Sequence, residues 1–164
     1  MIEMKVFGLA LDEQSQVPLL ILKDESEEKV LPIWIGAMEA MSISISLNKV
    51  EISRPLTHDL MLRTLKSLGA RIDRIVVVDL REGTYYAEIH LDHGDQTYLV
   101  DSRPSDAIAL AVRENALICA NETLLEQVGK QFQQQHEVVL KDEESEKWTD
   151  FLEKFDVDDT KYKM

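Results

Sequence analysis

Cysteine is nearly absent from this 164-residue chain. Cys119 stands alone, which excludes an intramolecular disulfide framework and a cysteine-rich zinc site, and fits a reducing compartment. No run approaches the roughly 20 apolar residues that span a bilayer, so no membrane segment is expected. Met1-Ile2-Glu3-Met4-Lys5 shows no charged region followed by an apolar one, so no secretory leader is read there and a cytoplasmic location is expected. Low-complexity tracts and solenoid periods are missing. So are the Walker loop, GxSxG, HExxH, GxGxxG and CxxC, which removes the common hydrolase, nucleotide-fold and zinc-enzyme readings.

Positive charge is scarce as well. Eighteen Lys and Arg face 31 Asp and Glu, a net of −13. Phosphate backbones are bound mainly through Lys and Arg, so the chain does not have the overall composition of a general nucleic-acid binder. Any polyanion must approach a local basic site against the field of the whole molecule.

What is present is 45% hydrophobic residues in a length that suits about one domain. Met4–Leu11, Val17–Leu22 and Val30–Ile35 read as strands joined by turns too short for a parallel crossover, hence an antiparallel meander. Pro32 cannot donate to a ladder and places the third strand at an edge or bulge. A helix is expected from Ala37 to Asn48, with Met38, Met41, Ile45 and Leu47 as its apolar face, although Ser42-Ile43-Ser44-Ile45-Ser46 alternates like a strand. A second helix should start at an N-cap Thr57, bury Leu60, Met61, Leu65 and Leu68, and stop at Gly69. Ile72–Leu80, Thr84–Leu91 and Gln96–Val100 form a second meander. Helices near Pro104–Arg113 and Glu122–Val128 flank a short strand, Leu117–Ala120. The expected class is α+β: two mainly antiparallel meanders with three to four helices. This domain is assigned to residues 1–130. Residues 131–164 form an acidic tail, in which Trp148, Phe151, Leu152 and Phe155 share one helical face.

Two segments share a plan. Ser53-Arg54-Pro55-Leu56-Thr57-His58-Asp59 and Asp101-Ser102-Arg103-Pro104-Ser105-Asp106 both set Arg-Pro before a helix and follow it with a hydroxyl and an aspartate. Helix initiation alone accounts for the proline, hydroxyl and aspartate. The arginines can hold an anion at a helix N-terminus, or pair with Asp59, Asp101 or Asp106. The shared plan predicts that both segments meet, with Arg54 and Arg103 near each other or near one carboxylate cluster. His58 and Asp59 point about 100° apart on a helix, so His58 would need a carboxylate from elsewhere, Glu39 or Asp101. Glu39, within an apolar segment, needs an arginine, amide donors or a metal, or else completes its own helix start.

Leu31-Pro32-Ile33-Trp34-Ile35-Gly36 with Glu39-Ala40, then Arg54-Pro55-Leu56-Thr57-His58-Asp59-Leu60, then Asp101-Ser102-Arg103-Pro104-Ser105-Asp106-Ala107 resemble the bifunctional nuclease family over residues 1–130. The tail, with Trp148, Phe151, Leu152 and Tyr162, resembles the ending of its bacterial members. That resemblance implies cleavage of RNA and DNA. Its motif positions nominate Glu39, His58, Asp59, Asp101 and Asp106 as catalytic candidates, and Arg54, Thr57, Arg103 and Ser105 as substrate or anion ligands. A divalent ion, Mg²⁺ or Mn²⁺, could be held by the carboxylates while an arginine takes phosphate charge. The competing classes are a non-enzymatic anion-binding or regulatory module and an adaptor working through the tail. A homodimer or other homo-oligomer is expected, with the Pro32 strand and the Trp148 helix as contacts.

Overall fold

The computed structural model describes residues 1–12 and 15–135. Both meanders form. They are β1 (Ile2–Leu11), β2 (Pro18–Lys23) and β3 (Val30–Trp34), then β4 (Ala70–Arg81), β5 (Thr84–His93) and β6 (Gln96–Ser102). Glu82 and Gly83 both take positive φ, the conformation that a two-residue hairpin between β4 and β5 requires. Both meanders belong to one seven-stranded sheet of order β3-β2-β1-β7-β4-β5-β6. The joining strand, β7 (Leu117–Ala120), runs antiparallel to β1 and parallel to β4. The class is therefore α+β.

Pro32 does lie on an edge strand. The sheet curls enough that the Tyr85 hydroxyl on β5 donates to the Pro32 carbonyl at 3.0 Å, although three strands and β2 lie between them in the sheet order. Burial raises the Tyr85 phenol to about 12, so it remains a donor at neutral pH. Leu31, Pro32 and Ile33 are buried, so this edge is covered. The opposite edge is open: every residue of β6 except Ser102 is exposed, with Leu99 at 61%.

The central helix is α3 (Pro104–Glu114), in which Ala107 through Ala111 are at most 1% exposed. Its alanines allow close approach, and α1 (Ala37–Leu47) and α2 (Thr57–Ser67) pack against it. The expected apolar faces of α1 and α2 need correction. In α1 the core takes Ala40, Ile43 and Ser44, while Met38 is 70% exposed. In α2 it takes Leu62, while Leu60, Met61 and Leu68 are exposed. Thr57 is the first helical residue rather than the cap. Leu56 occupies the cap, and its N–H is satisfied by Asp59 reaching back at 2.9 Å. The last described helix, α4 (Glu122–Gln135), continues past the expected Glu122–Val128 into a glutamine-rich stretch. The Trp148 face lies outside the described residues. Among the described residues no helix is long and apolar enough to cross a membrane.

Candidate active site

Gly36 ends the path out of β3, and α1 begins with Glu39 in its first turn. The Glu39 carboxylate folds back over Gly36 and leaves no room for a Cβ there. From that position Glu39 Oε1 meets Arg103 Nη1 at 3.0 Å. Arg103 is the N-cap residue of α3, and Asp106 stands in the first turn of that helix. Arg103 Nε and Nη2 donate to the two Asp106 oxygens at 2.7 and 3.1 Å, a bidentate pair. Burial pushes the Asp106 carboxyl up, but the hydrogen bonds from Arg103 and His58 outweigh it and hold the group below its ordinary range. The same bond, reinforced by Glu39, raises Arg103.

Asp106 also reaches the second Arg-Pro segment. Its Oδ1 lies 3.2 Å from His58 Nε2, and His58 Nδ1 lies 2.9 Å from Ser42 Oγ on α1. Arg113, from the last turn of α3, donates to Ser42 Oγ at 3.2 Å and to the Ser42 carbonyl at 3.0 Å. It also donates to the Ala109 carbonyl at 2.7 Å and to Asp59 Oδ1 at 2.8 Å. Burial raises Asp59, yet Arg113 and the Leu56 N–H together bring it below its ordinary value.

Donor chemistry orders this chain. A guanidinium only donates and a carboxylate only accepts, so Ser42 Oγ accepts from Arg113 and His58 Nε2 carries the hydrogen shared with Asp106. In the neutral ring Nδ1 is then the acceptor, and the Ser42 hydroxyl donates to it. The result is a directed path from a serine hydroxyl through an imidazole to a carboxylate. Ser42, His58 and Asp106 line a cavity of about 590 Å³ with Glu39, Thr57 and Arg103, and Met38, Met41 and Leu56 supply apolar wall. Of the five guanidinium donors of Arg103, three bind carboxylates and two remain.

The two Arg-Pro segments therefore meet, through His58 and Asp106 rather than through their arginines. Arg54 lines a neighbouring hollow instead. Neither carboxylate expected to serve His58 does so: Glu39 is on Arg103, and Asp101 is an exposed residue of β6, opposite Glu88 of β5. Nor does Asp101 pair with Arg103, because the first turn of α3 puts Asp106 within reach. Ser105 is buried, and neither it nor the partly exposed Asp59 lines the cavity wall. Ser42 and Arg113 were missed. The alternating Ser42–Ser46 stretch gave no reason to choose one serine, and Arg113 reads from sequence as an ordinary cation at a helix C-terminus.

A model of the bifunctional nuclease domain matches residues 20–133, which hold every side chain of this network. The chain belongs to the bifunctional nuclease domain family. Within or beside that family match, an uncharacterised protein of Mycobacterium tuberculosis (strain ATCC 25618 / H37Rv) is 34% identical over 163 residues, covering 97% of this chain and 98% of its own length. Bifunctional nuclease 2 of Oryza sativa subsp. japonica is 28% identical over 110 residues, 65% of this chain and 34% of the rice protein. Bifunctional nuclease 2 of Arabidopsis thaliana is 29% identical over 109 residues, 64% of this chain and 33% of the plant protein. The family domain thus includes all three helices that build the site and leaves most of each plant protein outside the alignment.

Proposed function

We propose that the cavity hydrolyses phosphodiester bonds of RNA or DNA, with Ser42, His58 and Asp106 carrying the proton movement. The observation that carries this reading is the directed hydrogen-bond path from Ser42 to Asp106, open to a cavity that also holds Arg103. Ser42 Oγ attacks phosphorus while its proton passes to His58 Nδ1. The bond from phosphorus to the leaving sugar oxygen breaks, and that oxygen takes the proton. Water, deprotonated by His58, then attacks the same phosphorus; the bond from phosphorus to Ser42 Oγ breaks, Oγ takes the proton back from His58, and a phosphate monoester is released. Asp106 holds the ring and balances the imidazolium, and the remaining Arg103 donors orient the phosphate. Membership of the bifunctional nuclease domain family and similarity to the plant bifunctional nucleases support the choice of substrate.

A divalent cation would supply further charge neutralisation. The nearest carboxylates, Glu39 and Asp106, both hold Arg103, and among the described residues no three His, Cys, Asp or Glu side chains gather around a common metal position. The residues do not fit a resident Mg²⁺ or Mn²⁺ in this arrangement, and no step is assigned to one. The non-catalytic reading, a pocket that holds a small anion, draws on the same Arg103 donors and the apolar wall. Cleavage of single-stranded RNA and DNA by matched preparations of wild type, Ser42→Ala and His58→Ala, with and without Mg²⁺ or Mn²⁺, decides among these. Loss in both variants supports the reading. Loss only in His58→Ala replaces Ser42 by water as nucleophile, and binding without turnover in any sample leaves the anion pocket.

The homo-oligomer expected from an edge strand belongs with β6, since β3 is covered. A second copy pairing antiparallel about Leu99 would set Asp101 opposite Thr97, so that no carboxylate faces another.

A further inference from the structure

Beside the catalytic cavity lies a second hollow of about 490 Å³, and Ile45 and Pro55 form a wall common to both. Its charge is opposite to that of the molecule. Lys49, Arg54, Arg63, Lys66 and Arg113 line it against Asp59 and Glu114, within a chain of net charge −13. Arg113 is bound to Asp59, and Lys66 to Glu114 at 2.6 Å. Lys49, Arg54 and Arg63 are exposed and have no carboxylate within ion-pair distance among the described residues. Lys49 follows the C-terminus of α1, where a cation is favoured for the helix alone. Arg54 has no such reason to be where it is. It precedes the N-terminus of α2, whose dipole disfavours positive charge.

We propose that this hollow holds the sugar-phosphate backbone of a single-stranded polynucleotide whose neighbouring phosphodiester lies in the catalytic cavity. The proposal rests on the phosphodiesterase reading above and names how an acidic protein of that kind would hold a polyanion. Lys49, Arg54 and Arg63 supply the free charges, and Pro55 is the ridge the strand crosses. Beyond the ridge the apolar wall of Met38, Met41 and Leu56 gives an unstacked base a surface to lie on. A flexible single strand can follow two adjoining hollows, whereas a duplex, stiff over about 150 base pairs, cannot bend into them.

Binding of a labelled phosphorothioate oligothymidylate to the full chain, followed by anisotropy across NaCl concentrations, tests this. Three phosphates neutralised on a single strand give a slope of log affinity against log salt of about −2. That slope is about 20-fold weaker binding between roughly 50 and 200 mM. Arg54→Ala, Arg63→Ala and Lys49→Ala should each bring the slope toward about −1.4, or about 7-fold over the same range. Lys5→Ala, on β1, should change nothing. An uncharged methylphosphonate strand should fail to bind. A wild type that does not bind the phosphorothioate, or a triple variant with the wild-type slope, overturns the proposal even if His58→Ala abolishes cleavage. Conversely, a triple variant that loses the slope while His58→Ala cleaves at the wild-type rate keeps the backbone site and removes the catalytic reading.

Discussion

The helix starting at Thr57 and the helix starting at Pro104 are introduced by nearly the same residues, yet their charges are arranged in opposite ways. At α3 the arginine turns onto its own helix: Arg103 grips Asp106 and reaches across to Glu39. At α2 the aspartate is taken by a distant arginine, Arg113, and Arg54 lines a basic hollow with no carboxylate partner among the described residues. The aspartate also caps its own helix start through the Leu56 N–H. One plan thus yields a neutralised anchor beside His58 at one junction and, among the described residues, a cation with no carboxylate partner at the other. The difference comes from α3 being the central helix, whose last turn carries Arg113 into reach of α1 and α2.

The largest effect should come where the two junctions touch. Removing His58, which belongs to α2 but serves the aspartate of α3, should lower phosphodiester turnover by about 10²–10⁴-fold, measured on purified protein that melts near the wild-type temperature. Next come the arginines. Arg113 is 7% exposed, and truncating it leaves Asp59 only the Leu56 N–H and removes the tie from α3 to the Ser42 carbonyl, so Arg113→Ala should cost about 1.5–3 kcal/mol in urea unfolding. Arg103 is 65% exposed, and Arg103→Ala should cost about 0–1 kcal/mol. Equal costs would erase the contrast. For Arg103→Lys, unfolding should stay at the wild-type midpoint while phosphate binding or turnover falls, because lysine lacks the planar fork.

Acid sharpens the same comparison more gently. Asp59 and Asp106 are both held below their ordinary carboxyl range in the folded protein. Their contribution is therefore complete above the unfolded carboxyl value near 3.9 and is lost as pH falls through the depressed folded values. Urea midpoints recorded from about pH 5 downward should fall less steeply for Asp59→Asn and Asp106→Asn than for wild type. The smallest change in the fold should follow Leu99→Lys on the open β6 edge. It should leave unfolding and turnover alone and convert a light-scattering dimer to monomer. A wild type of monomer mass removes the dimer.

Much of the fold was legible because it is local. Period-two strands, the Glu82-Gly83 turn, Gly69 after α2 and Pro32 at an edge each follow from backbone chemistry within a few residues. The buried faces of α1 and α2 were not legible, because an exposed Met38 or Leu60 looks like a core residue until the neighbouring helix is in place. Partner choice among Asp59, Asp101 and Asp106 stayed open for the same reason. Asp101 is two residues from Arg103 in an extended link, but the turn of α3 brings Asp106 closer.

The amino-acid sequence alone determined the two meanders, the helix starts and the presence of His58, Arg54 and Arg103 beside them, since hydrophobic period and capping act over one or two turns. Tertiary structure decided that β7 joins the meanders into one sheet, that Ser42 and Asp106 flank His58, and that Arg113 rather than Arg54 holds Asp59. The side-chain pairs lie 16 to 71 residues apart and the β1–β7 pairing, with Ile2 opposite Ala120, spans more, and at those separations packing around α3 sets the distance and no local preference reaches.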